Sequence, residues 1–173
     1  MSKVVHRDFI IPIKGLSVGK HEYAFAIDTP FFQEFEGSLI SEAALKADVV
    51  LEKEVTWIKI SGTVKGNVVV ECDRCLEDLE IPVKTSLNLL VKFVRSEGEE
   101  DSDDVMILDP LEAELDLSQF LYDYICLSLP IQRVHPKGKC NPLMLNKLKD
   151  LGLGESTEKK SDSPFEKLKD LLN

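Results

Sequence analysis

Apolar and polar residues alternate over long stretches in the first two-thirds of the chain. From Leu39 the odd positions read Leu39, Ser41, Ala43, Leu45, Ala47, Val49 and Leu51, with Glu42, Lys46, Asp48 and Glu52 among the residues between them. A period of two with one wet face predicts a half-buried strand. Thr56–Val64 repeats the pattern, with Ile58, Ile60 and Val64 on one side and Trp57, Lys59, Ser61 and Thr63 on the other. Gly62 leaves a gap on the apolar side, a place for a bulge or a close backbone approach. Lys65-Gly66-Asn67 interrupts the alternation before Val68-Val69-Val70 resumes it, which predicts a hairpin. The longest run is Ile81, Val83, Thr85, Leu87, Leu89, Val91 and Phe93, with Pro82 tolerable at a strand end or edge. Val5, Phe9, Ile11 and Ile13 predict an opening strand, and Tyr23, Phe25 and Ile27 a second. One-sided alternation belongs to antiparallel sheets with one covered face.

Helical signals come later. Asp116-Leu117-Ser118-Gln119 reads as a capping box, with Asp116 as N-cap and Gln119 reaching back. Leu117, Phe120, Leu121, Tyr124 and Ile125 follow at helical spacing until Pro130 enforces a stop. Asn141-Pro142 and Ser163-Pro164 are two further starts, each a cap followed by proline. Val105–Leu108 predicts a short returning strand. The expected fold is therefore α+β: a curved, partly closed antiparallel β-sheet with a few covering helices in the C-terminal third. Residues 1–151 form the expected domain, 152–163 a flexible linker, and 164–173 a C-terminal helix aligning Phe165, Leu168 and Leu172.

A chain of 173 residues predicts one domain or one domain with an appendage. No run approaches the roughly 18 apolar residues of a membrane span. The start turns charged at His6-Arg7-Asp8, which predicts a cytoplasmic rather than an exported protein. The net charge of −10 argues against a whole-surface clamp on nucleic acid. Its distribution changes that picture. Six acids fall in one loop, 96–104, while Arg133, Lys137, Lys139, Lys147 and Lys149 follow one another with no acid between them. That strip, joined by Arg74, is a candidate surface for RNA phosphate or an acidic partner; a solvated face is the plainer reading.

Chemistry concentrates at the cysteines. Cys72-Asp73-Arg74-Cys75 sits between two strands, and two thiolates at this spacing can reach one tetrahedral zinc. His135 and Cys140 would complete a closed four-ligand site. Two alternatives stand beside zinc: buried thiols that help close a hairpin, or a redox pair, although the β-α-β context of thioredoxin-like motifs is missing. Cys126 lies at the apolar end of a helix and reads as packing. Trp57, opposite the apolar face, packs under a loop or contacts a partner. No serine elbow, phosphate-cradling glycine loop or metalloprotease helix is present, so nothing points to catalysis or to a small-molecule substrate.

Gly62-x-Val64, the run Val68–Glu77 through Cys72-Asp73-Arg74-Cys75, and the later Ile125-Cys126-Leu127-Ser128-Leu129-Pro130 with His135 and Cys140 resemble the YceD family. Ser163-Pro164-Phe165-Glu166-Lys167-Leu168 is similar to that family's ending. The resemblance covers about residues 37–173 and implies a role in making or keeping large-subunit ribosomal RNA, in processing or subunit assembly. It carries over Cys72, Cys75, Pro130, His135 and Cys140, and no active site. Many members have a further cysteine pair after the Leu-Pro block; here only Cys140 follows, and His135 stands in. Tyr124 occupies a position where members commonly place an acid. The expectation is a non-catalytic factor in ribosome biogenesis that contacts large-subunit ribosomal RNA, a ribosomal protein or a processing enzyme. The alternatives are a zinc-dependent RNA-processing enzyme and a pure protein-interaction module.

Overall fold

The computed structural model describes residues 5–6, 9–93 and 105–152. The acidic loop 96–104, nearly all of the linker and the C-terminal helix expected at 164–173 lie outside them. The described elements are, in order, β1 (Val5–His6), β2 (Ile10–Pro12), β3 (Gly19–Asp28), α1 (Thr29–Gln33), β4 (Ile40–Lys53), β5 (Trp57–Glu71), β6 (Asp78–Lys92), β7 (Val105–Ile107), β8 (Glu114–Asp116), α2 (Ser118–Leu127) and α3 (Pro142–Asp150).

The main sheet has the order β1-β3-β4-β5-β6-β7, antiparallel through its four long strands and parallel at both edges. The order is linear among the described residues, with no closed barrel, and the arrangement is the expected α+β class. The predicted opening strand is also divided. β1 joins the edge of the main sheet, while β2 pairs with β8 in a separate two-stranded ribbon. A segment that belongs to two sheets keeps its apolar residues and loses its continuity.

Cross-strand partners carry the buried face across the sheet: Phe25 opposes Ala47, which opposes Val64, and Leu51 opposes Ile60, which opposes Leu89. These residues are buried. Leu117, Phe120, Leu121 and Ile125 join the same core, so α2 covers the sheet as its spacing predicts. The cap differs in detail. Leu117 is the N-cap, Asp116 Oδ1 accepts from the Ser118 N–H at 2.8 Å, and Gln119 Nε2 donates forward to Asp123 instead of reaching back. α1 was not anticipated. It places Phe31 and Phe32 in the core, and Thr29 Oγ1 accepts from the Ala43 N–H at 3.0 Å.

Two irregularities shape the central strands. The β4–β5 register shifts between Ile40 and Glu42, so Ile40 is buried and Leu39 is exposed, the reverse of simple alternation. The hairpin predicted at Lys65-Gly66-Asn67 does not form; β5 runs on to Glu71, and the chain reverses at 72–77. Both β5 glycines sit on the buried face where β4 comes close. A Cβ on Gly62 would collide with the Asp48 carbonyl oxygen, and one on Gly66 with that of Ala44. The interruption read as a turn is a close approach of backbones.

Pro82 fits its place. β7 pairs with β6 only at 90–92, so around Pro82 β6 has one strand neighbour among the described residues, and its missing N–H leaves no hole in a central ladder. Gly62→Ala is expected to lower unfolding stability by roughly 3 kcal/mol, as overpacking against rigid backbone does. Urea denaturation of the variant beside the parent chain measures it.

Candidate metal centre

The turn from β5 to β6 opens on Cys72, and its hydrogen bonds shape the loop. Cys72 N–H donates to the Glu77 carbonyl at 2.9 Å, and Leu76 N–H donates to the Cys72 carbonyl at 2.9 Å. This curl brings Cys72 and Cys75 to one side and forces Leu76 to φ 59°, a left-handed conformation rare for leucine.

The second half comes from the chain between α2 and α3. Asp73 N–H donates to the Arg133 carbonyl at 2.7 Å, Arg133 N–H donates to Asp73 Oδ2 at 2.7 Å, and the Arg133 guanidinium reaches Asp73 Oδ1 at 3.0 Å. The Arg133 hydrogen bonds, its backbone N–H foremost, hold the Asp73 carboxyl below its ordinary range. Beyond this tie, Pro136-Lys137-Gly138-Lys139 makes a tight turn, with Gly138 at φ 81° and Lys139 N–H donating to the Pro136 carbonyl at 3.0 Å. His135 and Cys140 flank the turn. Asn141 then caps α3, its side chain accepting from the Leu143 N–H at 2.9 Å.

The result is one cluster. The ligand atoms of Cys72, Cys75, His135 and Cys140 all lie within 4.8 Å of one another. Cys75 Sγ is 3.4 Å from His135 Nδ1, and Cys72 Sγ is 3.9 Å from Cys140 Sγ. Neighbouring donors around a tetrahedral zinc, with bonds near 2.3 Å to sulfur and 2.0 Å to nitrogen, lie about 3.5–3.8 Å apart. All four cysteines are free thiols.

The histidine's orientation supports the same donor set. Nε2 is 3.1 Å from the Asp78 carbonyl oxygen. A carbonyl only accepts, so Nε2 carries the proton and a neutral ring turns the Nδ1 lone pair toward Cys75. Metal-ligating histidines are commonly oriented by such a second bond. Burial pushes the Cys72 thiol up, yet hydrogen bonds from the Arg74, Cys75 and His135 backbones and the Cys75 side chain bring it down to about 6. The bond to Cys72 is the largest influence raising the His135 pKa. Burial, then the neighbouring Cys72 and Cys75 sulfurs, raises Cys140. The Cys72 shift favours its thiolate, and anionic sulfur is the donor that zinc takes.

Around the sulfurs is a small second core. Leu79, Val134, Met144 and Leu145 pack on Cys72, Cys75 and Cys140. α3 has no buried residue, so its anchorage is this cluster. Cys126 lies elsewhere, half-buried against the main core, where burial foremost raises its thiol. Trp57 is half-buried at the start of β5, and His21 Nε2 lies 2.8 Å from the Ser17 carbonyl oxygen, far from the cluster.

The basic residues divide. Arg133 is bound to Asp73, and Arg74 Nη2 reaches the His135 carbonyl at 3.4 Å. Lys137, Lys139, Lys147 and Lys149 are exposed, two on the turn between His135 and Cys140 and two in the last turn of α3. Asp73 and the Asp78 carbonyl were not singled out from sequence. Asp73 had a signal, an acid inside the Cys-x-x-Cys; a backbone carbonyl has none.

The model of the large ribosomal RNA subunit accumulation protein YceD matches residues 60–172. The chain belongs to the YceD family. The matched span contains every residue of the cluster and all four exposed lysines, and the family's name points to a role in large-subunit ribosomal RNA accumulation. No curated protein and no solved structure matches the chain. Among the described residues, no helix is long and apolar enough to cross a membrane.

Leu76→Gly is expected to leave stability unchanged or raise it by up to about 1 kcal/mol, because glycine adopts positive φ without strain but loses more chain entropy. Leu76→Val is expected to destabilise, since a branched Cβ worsens the clash. Paired urea titrations distinguish the two.

Proposed function

We propose that the protein is a non-catalytic factor in ribosome biogenesis, acting in the cytoplasm to support accumulation of large-subunit ribosomal RNA. In this reading a structural zinc ion, held by Cys72, Cys75, His135 and Cys140, fastens the segment 131–150 to the sheet. That segment presents Lys137, Lys139, Lys147 and Lys149 to ribosomal RNA phosphate, while Arg133 and Arg74 brace the turn. The observation that carries the proposal is the joining of two distant family blocks in one four-donor cluster.

The non-catalytic reading is supported by the donor count. Four protein ligands fill a tetrahedral shell and leave no position for water or substrate, as structural zinc sites do. The RNA reading is supported by the exposure of Lys137 and Lys139 on a turn flanked by His135 and Cys140, with Lys147 and Lys149 exposed in the last turn of α3.

Reduced, purified protein is expected to carry about one zinc per chain by elemental analysis, a closed site being one-ion chemistry. Cys72→Ser and Cys140→Ser should lose it, with trypsin then cutting faster at Lys137 and Lys139 while the sheet's far-ultraviolet signal persists. Metal-free wild-type protein with an unchanged cleavage pattern would refute the zinc reading.

Depletion should raise the ratio of precursor to mature large-subunit RNA, and the Cys72→Ser chain should not restore it. Binding to a single-stranded RNA oligomer should weaken with salt at a log–log slope of about −3 if all four lysines meet phosphates. Replacing Lys137 and Lys139 by alanine should reduce that slope by roughly half.

A further inference from the structure

Two backbone irregularities described above converge on one groove. A cavity of about 290 Å³ lies between the start of β4 and the cysteine turn, its lining including Ser38, Leu39, Glu71, Asp73, Leu76 and Arg133. The β4 bulge turns Leu39 outward, 60 % exposed, and the left-handed residue of the cysteine turn places Leu76 outward, 61 % exposed. Each irregularity has a cost. A bulge breaks a stretch of ladder, and an L-residue at positive φ is strained by about 1–2 kcal/mol. Glycine or asparagine would occupy position 76 more easily. Among the described residues neither leucine is buried, so neither recovers that cost there.

The groove's charge says what fits. Glu71 has no ion pair among the described residues, and the Asp73 charge is matched by Arg133. Arg74 turns to the His135 carbonyl. One carboxylate is therefore uncompensated, on a chain whose net charge is −10. Phosphate is disfavoured beside it, whereas a cationic side chain is favoured.

We infer that this groove receives a basic segment of a partner protein, with one large apolar side chain seated between Leu39 and Leu76 and a lysine or arginine beside Glu71. The two leucines are the apolar anchors, and Glu71 supplies the polar contact at the rim, the usual division of labour in small interfaces. None of Lys137, Lys139, Lys147 and Lys149 is among the residues that line the groove, so the two readings rest on different side chains. Failure of the lysine reading leaves this one standing, and the reverse also holds.

The test uses the full chain with zinc supplied, and two fluorescent peptides, Gly-Lys-Lys-Phe-Lys-Arg-Gly and the same peptide with alanine for phenylalanine. Anisotropy titration is expected to show the phenylalanine peptide binding about tenfold tighter, as burial of an aromatic side chain implies. That preference should vanish in Leu39→Ser/Leu76→Asn, which keeps the fold because both leucines are exposed and asparagine tolerates positive φ. Far-ultraviolet circular dichroism and zinc content check this. Glu71→Gln should weaken both peptides severalfold and leave the preference intact. Equal affinity for the two peptides, or a preference that survives the double substitution, overturns the inference. So does a twelve-nucleotide oligouridylate whose binding the double substitution abolishes, since the groove would then be an RNA site.

Discussion

Backbone pairing along Trp57–Glu71 is the constraint on which the rest of the molecule depends. β5 is laddered to β4 on one side and to β6 on the other over nearly its whole length. That register decides which side chains face α2, because a slip of one residue would turn Ile58, Ile60, Val64, Val68 and Val70 to solvent. It also decides where the strand ends. The pair Glu71↔Asp78 leaves six residues for the reversal, and both cysteines of the motif fall within them. The close passage at Gly62 and Gly66 belongs to the same constraint, since β4 occupies the space a side chain would need.

Two cores of different character result. The larger is built mostly of aliphatic and aromatic residues from the sheet, α1, α2 and the β2–β8 ribbon, and is held by apolar burial on a hydrogen-bonded sheet. The smaller contains three buried thiols with partly buried Leu79, Val134, Met144 and Leu145. Burial of so few apolar groups gives little beyond the entropy of ordering the chain around them. Asp73 and Arg133 add three hydrogen bonds at the same place, but the two side chains are partly solvated and their ion pair is weak for that reason. Proteins too poor in local core to hold a segment commonly rely on a cross-link or a metal, and the donor cluster stands where that need is greatest.

Much of this was legible in the sequence because alternation is a direct image of a half-buried strand. β3, the later part of β4, β5, β6 and the covering face of α2 follow the apolar positions that predicted them. The misreadings share a cause, which is that the deciding partner is distant in sequence. Leu39 and Ile40 exchange faces because of a bulge against Val70, and Gly66 resembles a turn until Ala44 lies over it. The opening segment divides because its pieces find partners at Phe25 and at Leu115. α1 is a five-residue helix, too short for periodicity, although Pro30 in its first turn was a sign. At the cluster, ligand spacing marked Cys72, Cys75, His135 and Cys140. The left-handed Leu76 was hidden, because glycine is the residue that announces such a position.

The separation of the two halves of the cluster has a consequence for how the chain acquires its shape. Cys75 and His135 lie 60 positions apart. The hairpins β3–β4, β4–β5 and β5–β6 join neighbours in sequence, and so can form early as the chain lengthens. The cluster must wait until the segment beyond α2 has emerged. Linking its halves closes a loop whose entropic restriction, in the polymer estimate for about 60 residues, is near 4 kcal/mol. An ion captured by all four residues would therefore be the last clasp of folding, and its presence would mark a chain in which the turn after β5 and the segment after α2 have already found each other.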